Sequence, residues 1–107
     1  MTIDNFEVID ALGLSPSDDV VLLMIFDGWD WTDEWMHLVT LQEKINVYFG
    51  FVESGQVYEN YPIAVGRQLC IDIIAKFPLP GVGEDFLKQA SAAAGELGIT
   101  IRHKVTP

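Results

Sequence analysis

One stretch limits what this chain can become more than any other. From Asp30 to Gly55 the sequence reads DWTDEWMHLVTLQEKINVYFGFVESG. Trp31, Trp35, Leu38, Leu41, Ile45, Tyr48, Phe49 and Val52 recur three and four residues apart, the spacing of one helical face. Asp30 stands where a carboxylate can cap the free N–H groups of a first turn. Asp33 and Glu34 follow where the helix dipole favours negative charge. Ser54-Gly55 supplies the glycine that ends a helix in the left-handed conformation. Such a helix would be roughly 36 Å long at about 1.5 Å per residue. Met36, Val39, Val47 and Phe51 lie off the stripe, so the apolar surface is wider than one packing face needs. No run of about 20 uninterrupted apolar residues occurs, which argues against a membrane span.

The remaining elements arrange themselves around this helix. Phe6 to Leu12 alternates as a strand with a mixed face, and Gly13 to Asp19 reads as a turn. Val20 to Phe26, VVLLMIF, is apolar at every position and short enough to be a buried strand. These two strands predict an antiparallel hairpin. Gln56 to Arg67 reads as a loop, because Pro62 and Gly66 discourage a long helix. Gln68 to Phe77 alternates again, with Leu69, Ile71, Ile73, Ala75 and Phe77 in one row. Glu84 to Leu97 has the helical period and stops at Gly98, and Ile99 to Val105 is the last strand.

The order β-β-α-β-α-β predicts a single α+β domain, residues 1–107. It is a two-layer sandwich: a four-stranded mixed sheet with two helices on one face. The other face then carries half of Val20 to Phe26, together with Ile9 and Ile74. Monomers rarely expose apolar patches beyond a few hundred Å². A homodimer, or a complex with a protein partner, is the expected cover.

Charge narrows the partners. The net charge is −10, which argues against nucleic acid and anionic membrane surfaces. Its distribution is lopsided: residues 1–43 hold ten acids and no Lys or Arg, while six acids balance six bases from Lys44 onward. A charge run is ordinarily a solvated surface. The sharper reading is a negative surface that steers a basic partner. The N-terminus has no basic region followed by an apolar run, so no secretory signal is read, and the single cysteine, Cys70, excludes an internal disulfide framework. A cytoplasmic protein is the expectation.

The segment from Asp27 to Trp35 is acidic and aromatic together. Its carboxylates do not have the spacing of a calcium loop, and capping already explains them, so no metal is expected. As a binding surface, Asp27, Trp29, Asp30, Asp33 and Glu34 combine the aromatic anchors and the charge of an interaction hot spot. The plainer reading makes Trp31 and Trp35 core residues and has Trp29 cover the sheet edge. His37 lies one turn after Asp33 and reads as a surface histidine on the flank of the stripe. His103 reads as packed or partly buried, and Cys70 as structural. No nucleophile, phosphate-loop or zinc motif occurs, so neither an enzyme nor a cofactor is indicated. A small-ligand site is the alternative, in the loop Gln56 to Arg67, with Tyr58, Tyr61, Glu59 and Arg67 lining it. Arg67 is expected to pair with Glu53 or Glu59.

Several short motifs occur together: Leu41 to Asn46 (LQEKIN), Glu53 to Gln56 (ESGQ), Tyr58-Glu59, Tyr61-Pro62 and Gly66-Arg67. With Asp30-Trp31, Asp33-Glu34 and His37-Leu38, they make the chain resemble a small bacterial family known only as a domain of unknown function. The resemblance covers most of the chain and implies a bacterial cytosolic protein. No catalytic residue comes with it. Gly28-Trp29 departs from it, since a more polar segment would be ordinary there.

Overall fold

A computed structural model describes Ile3 and residues 10–15 and 19–106. The elements run β1 (Ala11–Leu14), β2 (Val20–Asp27), α1 (Glu34–Glu53), α2 (Gln56–Asn60), a 3-10 turn (Pro62–Ala64), β3 (Gln68–Ala75), α3 (Gly81–Glu96) and β4 (Ile99–Val105). The fold is the expected α+β type. Its four strands stand in chain order, β1-β2-β3-β4. β1 pairs antiparallel with β2, while β2, β3 and β4 run parallel.

This order explains the layering. Each helical crossover moves one strand further in the same direction. Crossovers of one hand that progress the same way place their helices on the same face. Val21, Leu23 and Ile25 of β2, Ile71 and Ile73 of β3 and Ile99 of β4 form one buried cluster. Leu41, Ile45, Tyr48 and Val52 of α1, Val57 of α2 and Ala94 of α3 join that cluster. The other sheet face carries Leu22, Met24, Phe26 and Ile74, which are half-buried and lie outside it.

Several boundaries differ from those read in the sequence, each for a local reason. Among the described residues the first strand is Ala11–Leu14, which runs two residues past Leu12 into the expected turn; Phe6 to Ile9 lie outside the described residues. β3 ends at Ala75, two residues early, where Lys76 N–H donates to the Asp27 carbonyl. α3 begins at Gly81, because Pro80 precedes it in an extended conformation and Gly83 packs on Leu79. A Cβ on Gly83 would stand 2.9 Å from a Leu79 methyl, so a larger residue there would require the Leu79 side chain to move. The segment after Gly55 is not all loop. Gln56–Asn60 makes a short helix anchored by fully buried Val57.

The long helix starts later than expected. Its N-cap is Asp33, whose Oδ1 accepts from Met36 N–H at 3.0 Å, and not Asp30. Asp30 closes a turn of its own instead, accepting from Thr32 N–H at 3.1 Å. Glu34 lies in the first turn as expected. At the other end Gly55 adopts φ +82°, the conformation its place after the helix called for.

Candidate functional site

α1 buries His37, Thr40, Leu41, Lys44, Ile45, Tyr48 and Val52. Four of the predicted stripe residues are there: Leu41, Ile45, Tyr48 and Val52. The first two predicted members are not. Trp35 is 75% exposed, which overturns its reading as core. The stripe assumed one unbroken helix back to Trp31. The helix starts at Glu34, and its first buried residue is His37. Trp31 lies ahead of the helix and packs otherwise.

His37 is the second correction. It is 1% exposed, not a surface residue. Its Nε2 lies 2.6 Å from Asp27 Oδ2 and its Nδ1 lies 2.8 Å from the Asp30 carbonyl oxygen. Trp31 stacks on the imidazole, ring centroids 3.6 Å apart and 13° from parallel, and Trp29 meets it edge-on. Asp27 is buried as well, and its Oδ1 accepts from Trp29 N–H at 3.1 Å. Asp27 therefore leaves the set of surface carboxylates. The pairing has a clear origin in the fold. Asp27 follows Val21, Leu23 and Ile25 on the core face of β2. A carboxylate at that place must find a partner, since an unpaired buried charge is strongly disfavoured. α1 supplies it.

This arrangement restricts the chemistry. A carbonyl oxygen only accepts, so Nδ1 carries a proton. Nε2 is in hydrogen-bond contact with the Asp27 carboxylate. Both ring nitrogens are thus engaged within the protein, and neither is left to exchange a proton with a substrate. The Asp–His pair is a latch on the loop from Asp27 to Asp33. It holds Trp31 flat and fixes the cap from which α1 starts.

A second buried pair went unread in the sequence. Lys44 is fully buried and its Nζ donates to Asp10 Oδ1 at 2.7 Å. Asp10 Oδ2 accepts from Phe26 N–H at 3.0 Å. The Tyr48 hydroxyl donates to the Met24 carbonyl at 2.6 Å and accepts from Asp10 N–H at 2.9 Å. Burial pushes the Tyr48 phenol well above its ordinary range. The signal was present. Lys44 falls between Leu41 and Tyr48 at helical spacing, on the buried stripe itself.

What remains at the surface is compact. Trp35 and Met36 stand out at 75% and 53% exposure. Asp30, Asp33 and Glu34 are exposed as well. Gly28, Trp29, Asp30, Thr32, Asp33 and Met36 line a hollow beside them. The Asp30 carboxyl is held below its usual range, mainly by the Thr32 N–H. Of the expected surface residues, Asp30 and Asp33 come together here with half-buried Trp29, and exposed Glu34 follows Asp33 in the chain; Tyr58, Tyr61 and Arg67 belong to the opposite end of α1.

At that end Tyr58 is exposed and Tyr61 meets Phe51 edge-on, centroids 6.2 Å apart. Arg67 Nη1 donates to the Ile63 carbonyl at 2.6 Å, turning the guanidinium back on its own loop. His103 is half-buried as expected; its Nε2 has no hydrogen-bond partner among the described residues, and burial lowers its pKa. Cys70 is buried, and burial raises its thiol pKa against the opposing pull of Arg102. That neighbour comes from β4, so sequence proximity did not show it.

A family model spans residues 1–107. The chain belongs to DUF6572, a family of unknown function. No curated protein and no solved structure matches it. For this DUF6572 chain the site must therefore be read from its own side chains. Among the described residues, no helix is long and apolar enough to cross a membrane, and no three His, Cys, Asp or Glu gather as a metal-holding group.

Proposed function

We propose that this protein works by binding a basic protein partner through the acidic and aromatic surface at the start of α1. The observation that carries the reading is Trp35, a tryptophan three-quarters exposed. Glu34 and Met36, its neighbours in the chain, are exposed too, and Asp30 and Asp33 line a hollow together with Met36. Tryptophan is prominent among residues that anchor interfaces, and methionine adapts to varied surfaces. Carboxylates at the rim steer an oppositely charged partner and set its orientation. The ten acids among the first 43 residues, against no Lys or Arg, are an excess of the same sign. An inhibitor-like or immunity-like module that masks a basic toxin or nuclease, with Asp30, Asp33 and Glu34 standing in for phosphates, fits these features. The latch of Asp27 and His37 holds the surface ready, which limits the entropy lost on binding.

The test uses variants that leave the latch and the cap intact. Trp35→Ala and Glu34→Lys are compared with the unaltered protein in capture from a native lysate, at low and at high salt. The reading expects one basic protein to be retained by the unaltered chain and lost by both variants, with retention weakened by salt. Equal capture by all three proteins would sink it.

A further inference from the structure

The sheet has a second face, away from the helices, and it carries a different surface. Leu22, Met24 and Phe26 form an apolar row along β2, continued by Ile74 of β3. Along β4 the same face carries Arg102 and Lys104, whose side chains are each 54% exposed. Between the two rows Asp72 is buried, and its Oδ2 lies 3.1 Å from Arg102 Nη2 and 3.7 Å from Lys104 Nζ. Two cations on one carboxylate leave one positive charge in surplus, on a protein whose net charge is −10.

β2, β3 and β4 are parallel, and parallel sheets are almost always covered on both faces by helices. Each described helix sends buried apolar residues into the cluster on the opposite face: Leu41 and Ile45 of α1, Val57 of α2 and Ala94 of α3 among them. Among the described residues no helix covers this face, and the charge of a cover can be deduced. A second copy does not fit. Stacked about a two-fold axis across the strands, its Arg102 and Lys104 would meet their own equivalents. Stacked about an axis along β3, the bases of each copy would lie over the apolar β2 row of the other. Neither arrangement brings an acid to the bases.

We infer that this face docks an amphipathic helix of a partner protein, its apolar stripe on Leu22, Met24 and Phe26 and its acidic flank against Arg102 and Lys104. Strand β2 has eight residues, roughly 26 Å at about 3.3 Å each. A helix of about 18 residues spans that length. This surface is separate from the start of α1 and takes a partner of opposite charge.

Two designed helical peptides of about 18 residues test it. Both carry the same leucine stripe; one has glutamates along a flank and the other lysines. Each is titrated into the isotope-labelled full chain while backbone amide signals are followed. The expected result is that the glutamate peptide shifts amides of β2 and β4. Its affinity read from those signals should exceed that of the lysine peptide by about tenfold. Lys104→Glu should abolish the preference, with the circular dichroism spectrum unchanged. The proposal is overturned if the glutamate peptide leaves β2 and β4 unmoved, or if the lysine peptide shifts them as strongly. Sedimentation showing a dimer that Met24→Lys dissociates would overturn it as well. Shifts at Trp35 and Met36 under the lysine peptide report on the other surface, so either can fail alone.

Discussion

Two buried acid–base pairs hang on the same face of α1, two turns apart, and they do different work. Lys44 and Asp10 are both almost completely enclosed, and their network ends on backbone groups of β2. His37 and Asp27 sit near the helix start, roofed by Trp31, and their network ends on the loop before the helix. The first is a strut between helix and sheet. The second is a latch on a surface segment. A carboxylate in the strut has little freedom to relax if its partner is lost, whereas one in the latch lies beneath a loop that can open to water.

Stability measurements sharpen this contrast. Lys44→Ala is expected to cost about 3–5 kcal/mol in urea unfolding, because it strands the Asp10 carboxylate in the interior. The double variant Asp10→Asn with Lys44→Met should recover much of that loss, since no lone charge remains. His37→Leu should cost less, about 2–3 kcal/mol, with faster amide hydrogen exchange confined to residues 28–33. If His37→Leu proves the more damaging change, the assignment of strut and latch is reversed. Asp33→Ala removes the cap alone and should cost about 1 kcal/mol. Trp35→Ala should leave stability within about 0.5 kcal/mol of the unaltered protein, since its ring is outside the core.

A smaller effect concerns pH. Burial lowers the pKa of His103 below its ordinary value of 6.5, with Asp27 acting to raise it and His37 to lower it. The unfolded chain therefore binds the proton more readily than the folded one. The favourable neutral state is fully present above pH 6.5, and stability is lost as pH falls from there through the folded value. His103→Gln should remove that part of the decline. The difference between the two proteins' unfolding free energies, followed from pH 8 down to 5, isolates it.

The elements were largely legible in the sequence because their periods are clean. β4 was read at its true bounds, Ile99–Val105, and β2 to within one residue, because turn residues bracket an apolar or alternating run. Strand order was not legible, since it depends on which edge each crossover returns to. The site was legible in composition and misread in geometry. Acids and tryptophans between Asp27 and Trp35 marked the segment, yet their period extended a helical face through residues that precede the helix. The Asp30 carbonyl, which a longer helix would direct along its axis, is turned to the His37 ring instead. That contact spans seven residues and follows no helical rule. Lys44 was passed over because lysine is seldom fully buried, and only its partner, 34 residues away, makes that burial tolerable.

The way side chains complete the backbone of β2 has a consequence for the protein at high concentration. A strand backbone group left without a partner is one that a stray strand could use to begin fibril growth. The Asp10 carboxylate and the Tyr48 hydroxyl occupy the Phe26 N–H and the Met24 carbonyl of β2. Tyr48→Phe frees one of those groups while keeping the ring. Its solutions should cloud sooner than those of the parent on prolonged storage.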